Sequence, residues 1–120
     1  MAAADPPNIL AIDVDGCAVG SIGVFVQTNV HRRNAEMGYW LSEEYWSRGI
    51  MTEAIRKMCE YAFRTFDIDR IFARPFGINK ASQKVLEKAG FIFEARFEHT
   101  VIKDGQRMDE LYYAIRREKK

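Results

Sequence analysis

The chain has 120 residues, 48% of them hydrophobic and 29% charged, with 18 basic against 17 acidic side chains. This length and composition predict one globular domain with its own core and exclude a disordered chain. The formal net charge of +1 gives no electrostatic reason to expect a nucleic acid or an anionic membrane as a partner. No apolar run approaches the roughly 20 residues that a membrane-spanning helix needs, so we expect no membrane span.

The two cysteines, Cys17 and Cys59, do not belong to any Cys-x-x-Cys or Cys/His pattern. The sequence therefore implies neither a zinc site nor a disulfide, and we expect no metal. The Ala/Pro-rich start carries Asp5 instead of the basic residues that open a signal peptide. We accordingly expect a protein of the reducing cytoplasm.

A β-hairpin is predicted after a flexible leader of residues 1–8. The apolar run Ile9–Val14 predicts one strand, and the β-branched and aromatic residues of Cys17–Thr28 predict its partner. An Asp-Gly pair between the two runs is a strong turn signal. Gly20 and Gly23 in the second strand indicate a bulge or a close backbone approach.

A third strand and a long helix follow the polar loop of residues 29–34. Side chains of the strand Ala35–Leu41 alternate, which puts Glu36 and Trp40 on one face. The stretch Tyr45–Phe66 begins as a turn and continues as an amphipathic helix lying on a core. Its apolar positions recur at three- and four-residue spacing, and they are Ile50, Met51, Ala54, Ile55, Met58, Cys59, Ala62, Phe63 and Phe66.

The start of this helix is a candidate anion site. Ser47 is the expected N-cap, and Gly49 follows one step inside. A helix N-terminus offers unpaired N–H groups and a partial positive charge, and a glycine there lets an anion approach the backbone. An ordinary capped helix after a turn fits the spacing about equally well.

The second half begins with a turn at Asp67–Asp69 and a strand over Arg70–Pro75. Because a helix connects this strand to the preceding one, we expect the two to be parallel. A second helix is predicted from Lys80 to Ala89, with Asn79 as its cap and a glycine after its end.

Residues 91–102 and 107–116 predict a closing hairpin. The predicted fold class is therefore α+β, a mixed β-sheet with helices packed on it in the order β-β-β-α-β-α-β-β. A single domain of residues 9–120 contains all these elements.

Three segments together resemble the GNAT superfamily of acyl-CoA N-acyltransferases, and more closely its branch of ribosomal-protein alanine N-acetyltransferases. They occur in the family's order and at its usual separations. The segments are Glu36–Leu41, Tyr45–Ala54 and Asn79–Ser82 followed by Val85–Phe91. The resemblance extends over nearly all of the chain after the leader.

The resemblance implies acetyl-CoA as co-substrate. In the family, backbone N–H groups in the turn before the central helix hold the cofactor's pyrophosphate, and two strands part to admit the pantetheine arm. Ser47 stands where the family usually has its first glycine, and its hydroxyl could add a donor. Asn79 would reach the cofactor while also capping its helix. The implied cofactor-binding residues are Trp40, Leu41, Trp46, Ser47, Arg48, Gly49, Ile50, Met51, Thr52 and Asn79.

The resemblance also implies direct transfer of an acetyl group to an amine, without a covalent enzyme intermediate. Many relatives use a tyrosine as the acid, but this chain has Leu86 at that position. In the alanine-acetylating branch a serine at the position of Ser82 contacts the leaving thiolate, so we expect Ser82 in that role; a first-turn serine that bonds the backbone is the alternative. Glu36 is the expected base, although a surface ion pair with a nearby arginine fits it as well. Glu98 and His99 are the alternates.

Relatives normally have a first strand and two helices ahead of the hairpin that begins this chain. Those elements cover the sheet and form much of the amine-acceptor pocket. Their absence here implies a truncated chain or a cover supplied by a second copy, so we expect a homodimer. The acceptor is expected to be a protein N-terminal α-amine or a small amine. The alternative is a catalytically degenerate module that binds coenzyme A or a partner protein.

Overall fold

The computed structural model describes residues 7–46 and 48–117. The predicted order of six strands and two helices is confirmed. The strands are β1 Ile9–Val14, β2 Cys17–Val26, β3 Asn34–Leu41, β4 Arg70–Ala73, β5 Ile92–Lys103 and β6 Gln106–Arg116, and the helices are α1 Ile50–Thr65 and α2 Lys80–Lys88. Two short 3-10 turns, Asn29–His31 and Glu43–Tyr45, flank β3.

Two strands end earlier than the sequence predicts. β2 stops at Val26 instead of Thr28, because the chain turns there into the first 3-10 segment. β4 stops at Ala73 instead of Pro75, since proline has no N–H to donate to a sheet ladder. The carbonyl of Pro75 still accepts a hydrogen bond from the Leu111 N–H at 3.0 Å.

The first hairpin has the predicted turn and bulge. Asp15 and Gly16 both have positive φ, 51° and 80°, as the tight turns favoured in hairpins require. The pairing register shifts between Ile12 and Asp13, which marks the bulge. A Cβ at Gly20 would lie 2.3 Å from the Trp40 carbonyl oxygen, so only glycine fits this close approach between β2 and β3.

The sheet has the strand order β1-β2-β3-β4-β6-β5. Its β3–β4 pair is parallel, as predicted, and the other pairs are antiparallel. Both helices contact each other and pack on one face. On that face Val24 of β2 and Ile55 of α1 are completely buried, as is Leu86 of α2.

The opposite face of the sheet has no helix among the described residues. Phe25 and Trp40 point to this face and are 44% and 58% exposed. Phe72 and Tyr112 stack on the same face with ring centroids 5.9 Å apart. The face is therefore an aromatic surface open to solvent in the described chain.

Residues 1–6 of the predicted leader lie outside the described residues. Asn8, at its end, is held on β2: its carbonyl accepts from the Val24 N–H at 2.9 Å, and its Nδ2 donates to the Val24 carbonyl at 3.2 Å. Nearby, the Tyr61 hydroxyl of α1 donates to the Pro7 carbonyl. These bonds attach the start of the described chain to both the sheet and α1.

Candidate functional site

A cleft opens in the sheet where β3 and β4 separate. The two strands pair only from Asn34 to Glu36 on β3 and from Arg70 to Phe72 on β4. From Met37 onward β3 has no strand partner on that side among the described residues. The parting of strands that the resemblance implies is therefore present in the structure.

The hydrogen-bond register decides which backbone groups of β3 face this cleft. The Ser42 N–H donates to the Val19 carbonyl and the Gln27 N–H donates to the Asn34 carbonyl, so even-numbered residues bond towards β2. The backbone N–H and C=O groups of odd-numbered residues, Tyr39 and Leu41 among them, consequently point into the cleft. The expected backbone role of Trp40 does not fit this register, because Trp40 pairs with Ser21 on β2.

One of the cleft-facing groups already has a partner. The Trp46 indole Nε1–H donates to the Leu41 carbonyl at 2.7 Å, while its ring remains 56% exposed. The Leu41 N–H has no hydrogen-bond acceptor among the described residues, so this donor is available for a ligand. The Trp46 side chain is thus hydrogen-bonded to the end of β3, close to the start of α1.

The start of α1 has the geometry of an anion cradle. Gly49 is the N-cap, with φ of 76°, so the predicted cap at Ser47 is wrong in position; Ser47 itself lies outside the described residues. The first main-chain donor to bond inside the helix is Glu53, whose N–H reaches the Gly49 carbonyl at 3.1 Å. Ahead of it, the N–H groups of Ile50, Met51 and Thr52 have no bond to another described residue.

A surface cavity of about 550 Å³ lies beside this helix start, lined by Gly49, Thr52, Glu53, Arg56 and Lys88. The first four share one helix face because they recur at three- and four-residue spacing. Arg56 also ties the helices together, since its Nη2 donates to the Lys88 carbonyl at 2.6 Å. Sequence reasoning missed Arg56 and Lys88. The helical spacing from Gly49 could have identified Arg56, but only the packing of α2 on α1 brings in Lys88.

The neighbouring Arg48 is exposed, and its guanidinium lies 5.2 Å from the centre of the Tyr45 ring. This contact holds the charge near the turn that precedes α1, where the resemblance places the cofactor's pyrophosphate.

Ser82 lies in the first turn of α2 and is fixed by two groups. Its N–H donates to the Asn79 Oδ1 at 3.1 Å, which confirms Asn79 as the helix cap. Its Oγ shares a hydrogen bond of 2.5 Å with the Tyr39 hydroxyl of β3. Asn79 uses its oxygen for the cap, so its Nδ2 hydrogens are the donors it could offer a ligand. Sequence reasoning missed Tyr39, although the alternation of β3 placed it on the face opposite to Glu36 and Trp40.

Glu36 lies on the other face of the sheet, away from Ser82. Its carboxylate forms a two-point ion pair with Arg74, with Nε–Oε2 at 2.7 Å and Nη2–Oε1 at 3.1 Å. The alternative of a surface ion pair is therefore present, but its partner is Arg74, whereas Arg33 of the loop before β3 bonds Asp67 and Asp69. The structure therefore does not bring the two expected catalytic side chains onto one side of the sheet.

The alternate bases lie at an irregular part of β5. His99 has φ of 54°, where the pairing register with β6 shifts, and its N–H donates to the Asp109 Oδ1 at 3.0 Å. This bond and the hydrogen bonds from Arg96 hold the pKa of Asp109 below its usual value. Glu98 is exposed. Asp109 thus orders this part of β5 through its bonds to Arg96 and to the His99 N–H.

Within residues 7–46 and 48–117, no group of three or more His, Cys, Asp or Glu side chains is arranged to hold a metal ion. The same residues include no helix with the length and apolar character needed to span a membrane.

Residues 2–92 match the family described as the acetyltransferase (GNAT) domain. Among curated relatives, the uncharacterized N-acetyltransferase YoaA of Bacillus subtilis is 35% identical over 97 residues, 81% of this chain and 54% of that protein. The L-amino acid N-acetyltransferase AaaT of Escherichia coli is 30% identical over 92% of this chain and 70% of its own length. The ribosomal protein uS5-alanine N-acetyltransferase of Escherichia coli is 32% identical over 78% and 50%.

The chain is also similar to solved structures. Mycobacterium smegmatis RimJ in complex with CoA-disulfide is 29% identical with a TM-score of 0.81, covering 93% of this chain and 55% of that one. The microcin C7 self-immunity acetyltransferase MccE in complex with acetyl-CoA and AMP is 26% identical with a TM-score of 0.79, covering 90% and 59%. The chain spans about half the length of the first curated relatives it matches.

Proposed function

This chain belongs to the GNAT acetyltransferase family, and on that premise we propose that it is an acetyl-CoA-dependent N-acetyltransferase. The observation that carries the proposal is the parting of β3 from β4 next to a helix start with unbonded N–H groups. A cofactor with a diphosphate and an amide-containing arm needs both features.

The cofactor would lie along this cleft. Its diphosphate is proposed to bind the N–H groups of Ile50, Met51 and Thr52, with Gly49 allowing close approach. Arg56 and Lys88 would add positive charge beside the cavity. The N–H of Leu41 would bond the pantetheine arm. Trp40 is proposed as a wall of the acceptor side, since its side chain is exposed on the face without helices.

The reaction proposed is direct transfer. The lone pair of a neutral amine nitrogen attacks the thioester carbonyl carbon, a C–N bond forms, and the C–S bond breaks with its electron pair going to sulfur. The nitrogen loses one proton and the departing thiolate gains one, giving an acetamide and coenzyme A. Glu36 is proposed to accept the proton, directly or through water, and Ser82 to donate a hydrogen bond to the thiolate. To accept this proton, the Glu36 carboxylate must give up one of its two hydrogen bonds to Arg74 and bond the amine instead.

The acceptor proposed is a primary amine, either a protein N-terminal α-amine or a small amine. Two relatives support the choice by name, since one acts on the alanine of a ribosomal protein and one on L-amino acids. Acetylation of a peptide panel and an amino acid panel, followed by mass spectrometry, distinguishes the two classes.

A test of the function measures acetyl-CoA binding by calorimetry and release of free thiol in the presence of these amines. We expect Ser82→Ala and Glu36→Gln to bind acetyl-CoA like the wild type and to lose most turnover. Glu60→Gln, at an exposed position of α1, is the matched control and keeps both. Unaltered turnover in the first two variants would remove both catalytic assignments.

A second candidate is a degenerate module that binds coenzyme A, or a partner protein, without turnover. It is favoured by the engagement of both Glu36 oxygens with Arg74. Acetyl-CoA binding without thiol release for any amine would support this candidate over the enzyme.

The assembly proposed is a homodimer that buries the open face of the sheet, working in the cytoplasm. Its support is the exposure of Phe25, Trp40 and Phe97 on a described surface that no helix covers. Sedimentation analysis tests it: a monomer at micromolar concentration, with no binding of an apolar dye, would refute the dimer.

A further inference from the structure

The phenol of Tyr39 connects β3 to α2 on the helix side of the sheet. Tyr39 belongs to β3 beyond its last residue paired with β4, and Ser82 belongs to the first turn of α2. Their hydroxyl oxygens are 2.5 Å apart. The described residues contain no other side-chain hydrogen bond between β3 and α2.

Ser82 is immobilised by this contact. Its backbone is already fixed by the cap bond to Asn79, so the remaining freedom of its side chain is rotation of the Cα–Cβ bond and of the hydroxyl. A bond from Tyr39 to Oγ restricts both rotations.

Tyr39 carries its proton under physiological conditions. Burial of the ring raises the pKa of Tyr39, and the bond with Ser82 offsets only part of this rise. A neutral phenol is the better donor of the two hydroxyls because its proton is the more acidic. With Tyr39 donating, the Ser82 Oγ is satisfied as an acceptor, and its own proton is free to point elsewhere.

We propose that Tyr39 is a positioning residue, whose hydroxyl donates to Ser82 so that the Ser82 O–H points at the sulfur of the cofactor. This inference rests on the proposed function. Tyr39 itself keeps its proton throughout. Two hydroxyls in series strengthen the bond to the thiolate, because a hydroxyl that accepts a hydrogen bond becomes a better donor.

The environment of α2 explains why this contribution comes from the strand. Leu86, at the position where the resemblance places the acid of many relatives, is completely buried in the core. Within the described residues, the phenol that bonds the start of α2 comes instead from β3, through Tyr39. The backbone N–H and C=O groups of Tyr39 also face the cleft.

The first test compares turnover of Tyr39→Phe with that of the wild type. We expect kcat to fall about tenfold, in line with the loss of one hydrogen bond to a group that stabilises charge, while KM for acetyl-CoA changes little. Tyr113→Phe is the matched control, since Tyr113 also bonds from the sheet to α2, through its hydroxyl to the Glu87 Oε2 at 3.0 Å. In a Ser82→Ala background the Tyr39 substitution should have no further effect, whereas independent effects would overturn the inference.

The second test does not depend on turnover. Bound coenzyme A is titrated with pH, and ionisation of its thiol is followed by the ultraviolet absorbance of the thiolate. If Tyr39 orients Ser82 towards sulfur, the thiol of bound coenzyme A should ionise about one pH unit higher in Tyr39→Phe than in the wild type, and Tyr113→Phe should match the wild type.

The outcomes separate the inference from the function on which it rests. Coenzyme A bound normally, with the same thiol pKa in the wild type and in Tyr39→Phe, would overturn the role of Tyr39 and leave the proposed function standing. A wild-type protein that does not bind coenzyme A would overturn both. Thermal melting of each variant checks that it is folded before either comparison is made.

Discussion

Gly49 offers the sharpest test of the cofactor cradle, because the chain provides a glycine with the same backbone conformation elsewhere. Gly49 and Gly105 both have φ of 76°, and a Cβ added at either would meet no atom within 4 Å. Alanine in this left-handed region costs about 1–2 kcal/mol through backbone strain alone. Alanine therefore carries the same strain at either position as long as the φ of 76° is kept, but only Gly49 lies at the start of α1.

The expected effect on ligand binding follows from this strain. In Gly105→Ala the cost appears as lower stability, roughly 4 °C in Tm per kcal/mol for a chain of this length, with or without acetyl-CoA. In Gly49→Ala the backbone can relax when the cradle is empty, and binding must then restore the strained conformation. A cost of 1–2 kcal/mol weakens acetyl-CoA binding by about 5- to 30-fold. The added methyl would also occupy the open space through which a diphosphate approaches.

Thermal melting with and without acetyl-CoA, supported by calorimetry, measures both quantities. Ligand at a hundredfold excess over Kd stabilises a protein by about 2.7 kcal/mol. We expect the wild type and Gly105→Ala to gain this stability in full and Gly49→Ala to gain between about one third and two thirds of it. Equal ligand-induced shifts in the two alanine variants would show that Gly49 does not contact the cofactor.

Three further outcomes follow from burial and charge. Leu86→Ala should lower the free energy of unfolding, measured by urea denaturation, by about 2–5 kcal/mol, because Leu86 is completely buried. Val30 is 86% exposed, so Val30→Ala should change the free energy of unfolding by less than about 0.5 kcal/mol. A thiol reagent at mildly alkaline pH should label the exposed Cys17 rapidly and the buried Cys59 only after unfolding, because burial raises the pKa of Cys59 to about 12. Rapid labelling of both thiols in the folded protein would contradict the packing of α1. Hydrogen bonds from Arg70 and Arg116 lower the pKa of Glu94 below its ordinary 4.5, so the stability that Glu94 contributes is present above pH 4.5 and is lost as the pH falls further. The free energy of unfolding of Glu94→Gln should therefore depend less steeply on pH in acid than that of the wild type. An unchanged slope would refute this role of Glu94.

Sequence patterns were sufficient for most of the fold. The Asp-Gly turn, the alternation in β3, the apolar spacing of α1 and the cap at Asn79 are local signals, and each depends on residues within a few positions of one another. The parallel pairing of β3 and β4 followed from the helix between them. The position of the α1 cap was missed because Ser47 and Gly49 are both acceptable N-caps, and only backbone geometry distinguishes them.

The contacts within the candidate site were less predictable from sequence patterns than the fold was, because they depend on tertiary structure. The glycine at the start of α1 was predicted from its place in the turn before a helix, whereas the serine at the start of α2 and the glutamate of β3 were predicted from the resemblance to the family, and their roles stay predictions. The sequence did not show that Arg74 engages Glu36, that Tyr39 reaches Ser82, or that Lys88 lies beside Gly49. Each of those pairs is separated by more than thirty residues. Such contacts are decided by the register of β3, the point where it leaves β4 and the packing of α2 on α1, none of which leaves a periodic signal in the chain.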